Sequence, residues 1–368
     1  MMLMSKDLVC PFCLKHLRSG QLVQVCSMNP AHRKTEKKGL FSSYKDDCKE
    51  VGCRGRYTNL ACPQCGEKLP SNITQYQGYS RLAIAAPSRG GKTVLITTML
   101  HEVFANATLL GLNMGSMDTK TSEYYLHNSK RLYGSMKAPD PTQVGGTVPM
   151  QWYVQNVRKT SGSHVPTYSL TIFDGAGESL ENPSDLETRY IGEAKMLMLL
   201  LDPLQLAGIR NQLTSEEIKS AGGNPSQSVS DQSTHLFING IVNYIRLCNH
   251  LTVEQKLKIP VAVVMCKMDV MQRFFPADAM VFQDSGHVAG GKFIDSESQQ
   301  VHAEIDEWIS SCCNPLNMAL SATLENWRYF GVSSYGVMPK DAYQLSSVPK
   351  PLRVLDPLMW NLEMTGIL

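Results

Sequence analysis

Eight residues about a quarter of the way along the chain carry a recognisable chemistry. Ala86-Pro-Ser88-Arg89-Gly90-Gly91-Lys92-Thr93 has the form [AG]-x4-G-K-T, with an apolar run, Leu82 to Ala85, before it and a helix-forming stretch after it. A strand, a small-residue loop and a helix opening at Lys92–Thr93 make a phosphate-binding P-loop. Its N–H groups, from Ser88, Arg89, Gly90 and Gly91 onward, wrap a phosphate chain at the positive end of the helix. Lys92 is placed to meet the outer phosphates and Thr93 to offer its hydroxyl to Mg²⁺. Ala86 at the first position still allows a tight turn.

A second chemistry lies in the front of the chain. Seven of the 11 cysteines precede residue 66: Cys10 and Cys13 in one CPxC pair, Cys26, then Cys48 and Cys53, and Cys62 and Cys65 in a second CPxC pair. With His32 they make eight soft ligands, enough for two tetrahedral zinc sites, one of four cysteines and one of three cysteines and a histidine. A single zinc on the two CPxC pairs is the alternative, and His16 is a substitute for His32. The spacing leaves the pairing open. A segment this short and rich in Lys, Gly and Ser buries little, so metal supplies its folding energy.

Further along, an apolar strand ends in Phe173-Asp174-Gly-Ala-Gly177-Glu178. An acidic residue there can hold Mg²⁺ through water, and the Gly177 N–H can meet a γ-phosphate. A later strand ends in Cys266-Lys267-Met268-Asp269, which matches the [N/T]-K-x-D tetrad of guanine-nucleotide proteins except for Cys266. In that tetrad the aspartate pairs with two N–H groups of guanine, a charge-assisted contact adenine does not offer. A thiol is a poor replacement for the Asn or Thr that braces the P-loop. Gly331-Val-Ser333-Ser334 follows a further apolar run and fits a loop beside the base.

These residues need a scaffold. The 368-residue chain, 43% hydrophobic and 18% charged, suits a large core domain with an appended module. The expected division is a double zinc-ribbon module over 1–70, a linker over 71–78 and a nucleotide domain over 79–368, with insertions near 203–234 and 271–300. Residues 106–148 read as irregular apart from a helix near Ser122–Leu132. Met150–Val157 and Tyr168–Phe173 read as a hairpin, and Met196–Leu201 as a central strand buried on both faces. Residues 210–234 read as a mobile polar insertion. A helix follows over about His235–Leu251, and Arg353–Leu362 reads as a closing helix with Trp360 in the core. Trp308, Cys248, Cys312 and Cys313 read as helix packing. Residues 1–70 carry a net charge of +6 and the remainder −4, so the front module could meet nucleic acid, anionic lipid or an acidic protein. With no long apolar run and no cleavable leader, a cytoplasmic protein without a membrane span is expected.

The ordered set A86PSRGGKT93, D174GAGE178, C266KMD269 and S333S334 resembles the Ras-like, translation-factor-related class of P-loop GTPases over about residues 79–368. With the CPxC ribbons and R353VLDPLMW360, the chain is similar to the double-GTPase families, Ras-like domains associated with biological-conflict (antiviral) systems. The resemblance implies an α/β fold, a mostly parallel six-stranded sheet with helices on both faces, and nucleotide at the strand C-termini. It implies GTP/GDP and Mg²⁺ on Gly91, Lys92 and Thr93, a second switch at Asp174 and Gly177, and base reading by Lys267 and Asp269 supported by Ser333 and Ser334. A first-switch threonine is implied, Thr142 in preference to Thr147. Glu178 stands where the family has a water-positioning glutamine, so hydrolysis is expected to be slow. A protein partner, a second GTPase among the candidates, follows from the same likeness. An ATPase of the same fold and a non-hydrolysing scaffold acting through its zinc ribbons are the competing readings.

Overall fold

The computed structural model describes residues 8–34, 47–70, 72–87, 90–140, 149–162, 165–174, 190–336 and 344–368. The chain divides into two compact units, Met1–Tyr79 with Pro166–Ser169, and Ser80–Val165 with Leu170–Leu368.

In the first unit, β1 (Leu8–Val9) pairs antiparallel with β2 (His16–Leu17), and β3 (Val23–Val25), β4 (Asn59–Ala61) and β5 (Lys68–Leu69) form a three-stranded antiparallel sheet. Two small cores result. One gathers Leu8, Leu17, Leu69 and Ile73 around Cys10 and Cys62, the other sets Tyr57 against Cys26 and Cys48. The stretch expected as a linker carries a 3-10 turn, Ile73–Gln75, because Ile73 is apolar enough to be drawn into the first core.

The second unit is built on a sheet of seven strands in the order β12-β11-β10-β6-β9-β8-β7. They are β6 (Gly78–Ala85), β7 (Leu112–Ser116), β8 (Met150–Asn156), β9 (Thr167–Asp174), β10 (Met196–Leu201), β11 (Val261–Met265) and β12 (Trp327–Gly331). β6, β10, β11 and β12 run parallel, and β7 is antiparallel to β8. The seventh strand, β7, lies in the stretch read as irregular. Its Leu112 and Met114 alternate inward while Asn113 stays exposed, too short a pattern to stand out beside Gly111 and Gly115.

β10, MLMLLL, is buried at every position because helices cover both faces. On one face Leu197, Leu199 and Leu201 pack with Ile241 and Ile245 and with Ile305 and Ile309. On the other, Met196 meets Asn361 and Phe330 meets Trp360. The longer helices among the described residues are α1 (Lys92–Ala105), α2 (Thr119–Ser129), α3 (Asp231–Cys248), α4 (Asp295–Thr323) and α5 (Asp356–Met364). Arg353, expected inside the closing helix, precedes it in a left-handed conformation with φ 52°.

The insertion after β10 is structured. Thr214 and Glu217 form a reciprocal capping box on the helix Ser215–Ser220, and the buried Arg210 guanidinium donates to the carbonyls of Leu204 and Asn224. Among the described residues, no helix is long and apolar enough to cross a membrane.

Candidate functional site

Gly90 to Thr93 follow the end of β6, Asp174 ends β9, Lys267 and Asp269 follow β11, and Ser333 follows β12. Ala85 closes β6, and the chain turns through Ala86 and Pro87 into Gly90 and Gly91. Gly90 N–H donates to Pro87 O at 2.9 Å. A Cβ on Gly90 would stand 2.7 Å from Ala86 Cβ and 2.8 Å from Pro87 O, so only glycine fits. Gly91 has φ 77°, the left-handed region that glycine enters without penalty, and it hands the chain to α1 at Lys92. The loop thus opens on the N–H end of a 14-residue helix. Ser88 and Arg89 lie outside the described residues.

Thr93, in the first turn of α1, donates its hydroxyl to Asp174 Oδ2 at 3.0 Å. Asp174 ends β9, is 1% exposed, and accepts a second bond on the same oxygen from the Tyr124 hydroxyl at 2.7 Å. Its other oxygen, Oδ1, has no hydrogen-bond partner among the described residues. A buried carboxylate oxygen left open beside a threonine hydroxyl at a phosphate loop suits a hydrated divalent cation, so Thr93 and Asp174 fit Mg²⁺. Burial, followed by the Asp174 charge, pushes the Tyr124 phenol well above its ordinary value, so it stays protonated and donates. Tyr124 was invisible in the sequence, since nothing marks one tyrosine of a YY pair as facing a strand end fifty residues on. Gly177, Glu178, Thr142 and Thr147 lie outside the described residues.

At the ends of β11 and β12 the ladder continues past the strands: Cys266 N–H donates to Leu201 O, Val332 N–H to Met265 O and Met268 N–H to Val332 O. This fixes Lys267, whose φ of 55° is uncommon outside glycine and turns its side chain toward β10. Lys267 Nζ pairs with Asp202 Oδ2 at 2.7 Å, and Asp202 Oδ1 accepts the N–H of Leu204 at 3.0 Å. Asp269 is exposed and accepts a hydrogen bond from Ser333 Oγ at 2.7 Å; Ser333 Oγ in turn accepts the Gly336 N–H at 3.0 Å. Ser334 follows, half-buried. Cys266 is buried, and burial together with the Asp202 charge pushes its thiol up to about 12. Its sulfur makes a long contact with Val264 O, 3.9 Å away.

The front unit resolves the open cysteine pairing. Ligand atoms of Cys10, Cys13, Cys62 and Cys65 all lie within 4.8 Å of one another, as do those of Cys26, His32, Cys48 and Cys53. Within them Cys10–Cys65 Sγ atoms are 3.8 Å apart, Cys13–Cys62 3.7 Å, Cys26–Cys53 3.5 Å, and Cys48 Sγ is 3.5 Å from His32 Nδ1. A disulfide needs about 2.05 Å, whereas a tetrahedron of thiolates about 2.3 Å from a zinc ion has edges of about 3.8 Å. The donor sets therefore fit two zinc ions. Main-chain N–H groups of Met28 and Gln64 point at Cys26 and Cys62 sulfur, at 3.4 and 3.3 Å, as outer support. His16 belongs to neither group; it is exposed on β2.

The two CPxC turns are copies of one another, a repeat not visible until their bonds are compared. LVCPFCLKHL and LACPQCGEKL each fold back with the same pair of bonds, Leu14 N–H to Cys10 O and Gly66 N–H to Cys62 O, then Cys10 N–H to Lys15 O and Cys62 N–H to Glu67 O. A third group, His287, Glu297 and Asp356, also gathers within 4.8 Å. There a cation is already built in. Arg353 reaches Asp356 at 2.7 Å and Glu297 at 2.5 Å, which makes the group an ion-pair network rather than a metal centre.

No protein-family model matches the chain, and no curated protein matches it. Among solved structures, the Arl6 BBS3 small GTPase of Trypanosoma brucei with bound GppNp is similar at 11% identity and TM-score 0.30, over 78% of this chain and 98% of that one. The GTPase-like domain of S. cerevisiae Ski7 bound to GTP is similar at 12% identity and TM-score 0.33, over 80% of this chain and 52% of that one. The same domain with GDP and inorganic phosphate gives 12%, 0.30, 72% and 45%. At such low identity and overlap, the functional reading stands on this chain's own residues.

Proposed function

We propose that the second unit binds Mg²⁺–guanine nucleotide at the Gly90–Thr93 loop and hydrolyses GTP to GDP slowly, as a switch. The observation that carries the reading is the meeting of Thr93 with Asp174 at the mouth of that loop, with one buried carboxylate oxygen left open. Lys92 would neutralise the outer phosphates, and the helix N-terminus would accept their remaining charge. Mg²⁺ held by these residues would supply charge neutralisation to the phosphates. Thr93 would hold it directly and Asp174 through water.

For the base, Asp269 is held by Ser333 and left exposed, with Lys267 beside it. Glu178, Gly177 and Thr142 complete the proposal as the hydrogen-bond acceptor for the attacking water, the γ-phosphate N–H and the first-switch ligand. A glutamate beside the γ-phosphate adds negative charge, which is the reason to expect slow turnover. The front unit is proposed as a two-zinc module that engages a protein or polyanionic partner, supported by its net charge of +6 over residues 1–70. The likeness to conflict-system GTPases extends the proposal to a defence role with a second GTPase as partner.

Replacing Asp269 by Asn exchanges an acceptor for a mixed donor–acceptor. Guanine affinity should fall by about 1.5–3 kcal/mol, roughly 10- to 150-fold, while xanthine nucleotide binding rises. Unchanged GDP binding in the variant would remove Asp269 from the base site, and preference for ADP in the parent would favour the ATPase reading.

A further inference from the structure

We propose that Tyr124 is a positioning residue for Asp174, and that its hydroxyl sets the affinity of the site for Mg²⁺. The inference rests on the magnesium–nucleotide reading above.

Asp174 Oδ2 takes two O–H donors, Thr93 at 3.0 Å and Tyr124 at 2.7 Å. Two donors from different helices on one oxygen fix the plane of the carboxylate and leave Oδ1 as the oxygen aimed away from them, the atom without a partner among the described residues. Removing one donor would let the carboxylate turn about its Cβ–Cγ bond and spread its charge over several orientations. Outer donors of this kind hold metal-facing carboxylates in place.

Tyr124 is itself held by more than its own helix. Asp118 caps α2, accepting Thr121 N–H at 2.7 Å and Thr121 Oγ1 at 3.0 Å. Thr121 Oγ1 accepts the N–H of Gln151 on β8 at 2.9 Å, and Gln151 Oε1 accepts the hydroxyl of Thr171 on β9 at 2.9 Å. Thr171 stands three residues before Asp174 on the same strand. These bonds tie the start of α2 to β8 and to β9, the strand that Asp174 ends. The neighbouring Tyr125 packs on Phe104 and Trp152, with ring centroids 5.1 and 6.1 Å away. α2 is clamped, so the hydroxyl has a fixed address.

The test is a Mg²⁺ titration of fluorescent-GDP retention by the full chain, for the parent, Tyr124→Phe, Tyr125→Phe and the parent with 3-fluorotyrosine at position 124. Tyr124→Phe should raise the Mg²⁺ midpoint by about 10- to 100-fold. Its GDP affinity in chelator and its nucleotide-free melting temperature should stay near those of the parent. Tyr125→Phe and the fluorotyrosine protein, which leave the 124 hydroxyl in place, should keep the parental midpoint. A parental midpoint in Tyr124→Phe, or a shift matched by Tyr125→Phe, overturns the positioning role. A parent whose GDP retention ignores Mg²⁺ overturns instead the reading on which this inference rests.

Discussion

Gly90 shows how much of the site is decided by single residues. A Cβ there would stand within 3 Å of Pro87 O and Ala86 Cβ, so glycine alone lets the chain close on itself just before the helix start. Gly90→Ala would force the loop open against backbone. Overpacking of this kind costs about 1–3 kcal/mol, so nucleotide affinity should fall roughly 5- to 150-fold; titration with fluorescent GDP measures it. Parental affinity would mean that the loop does not need its closed form to bind. At the same scale Cys266 marks the departure from the guanine-binding tetrad, since its buried sulfur makes a long contact back to Val264 O of its own strand.

At the scale of elements, the sequence placed the strand ends well and the connections poorly. The P-loop strand, β9, β10 and β11 were legible because each is a continuous or alternating apolar run that ends on a chemically distinctive residue. β7 was not, being five residues with two inward positions. The structured insertion after β10 was also missed, because its order comes from Arg210 and Arg273 binding carbonyls and Glu217, not from apolar periodicity. Cysteine types were legible and their partition was not, since spacing alone does not say that the Cys26–Cys53 group is nested between the two CPxC turns that make the other. That partition makes a prediction for metal content. Cys10→Ser with Cys62→Ser should lose one zinc of two, whereas Cys10→Ser with Cys48→Ser should lose both; elemental analysis of the purified variants decides between this pairing and a sequential one. The segment leading into α5 is held by Arg353, buried against Glu297 and Asp356 and the carbonyls of Met280 and Gln283. Removing one side of such a network leaves buried charge uncompensated, so Arg353→Met should destabilise the second unit by about 3–5 kcal/mol in urea unfolding.

At the scale of the whole molecule, all four tryptophans, Trp152, Trp308, Trp327 and Trp360, belong to the second unit, so their fluorescence follows its unfolding without signal from the zinc module. Burial lowers the pKa of His287 and His302 below the usual 6.5, and each uses Nδ1 to accept a main-chain N–H, from Ile294 and Tyr329. The folded state therefore binds fewer protons than the unfolded one below that pH. The stability these neutral rings contribute is complete above 6.5 and is lost as pH falls through their depressed values. Tryptophan-monitored melting should show a temperature that declines on acidification from pH 6.5, and a flat profile would contradict the account.

In the proposed function, Thr93, Asp174 and Asp269 together make a magnesium-dependent guanine-nucleotide site. Equilibrium titration of the full chain with GDP and with ADP, each with Mg²⁺ and with chelator, tests it most directly. GDP should bind tightly and more weakly in chelator, ADP should bind weakly under both conditions, and Lys92→Ala should lose GDP binding. Equal affinity for GDP and ADP, or GDP binding indifferent to both Mg²⁺ and Lys92, would contradict it.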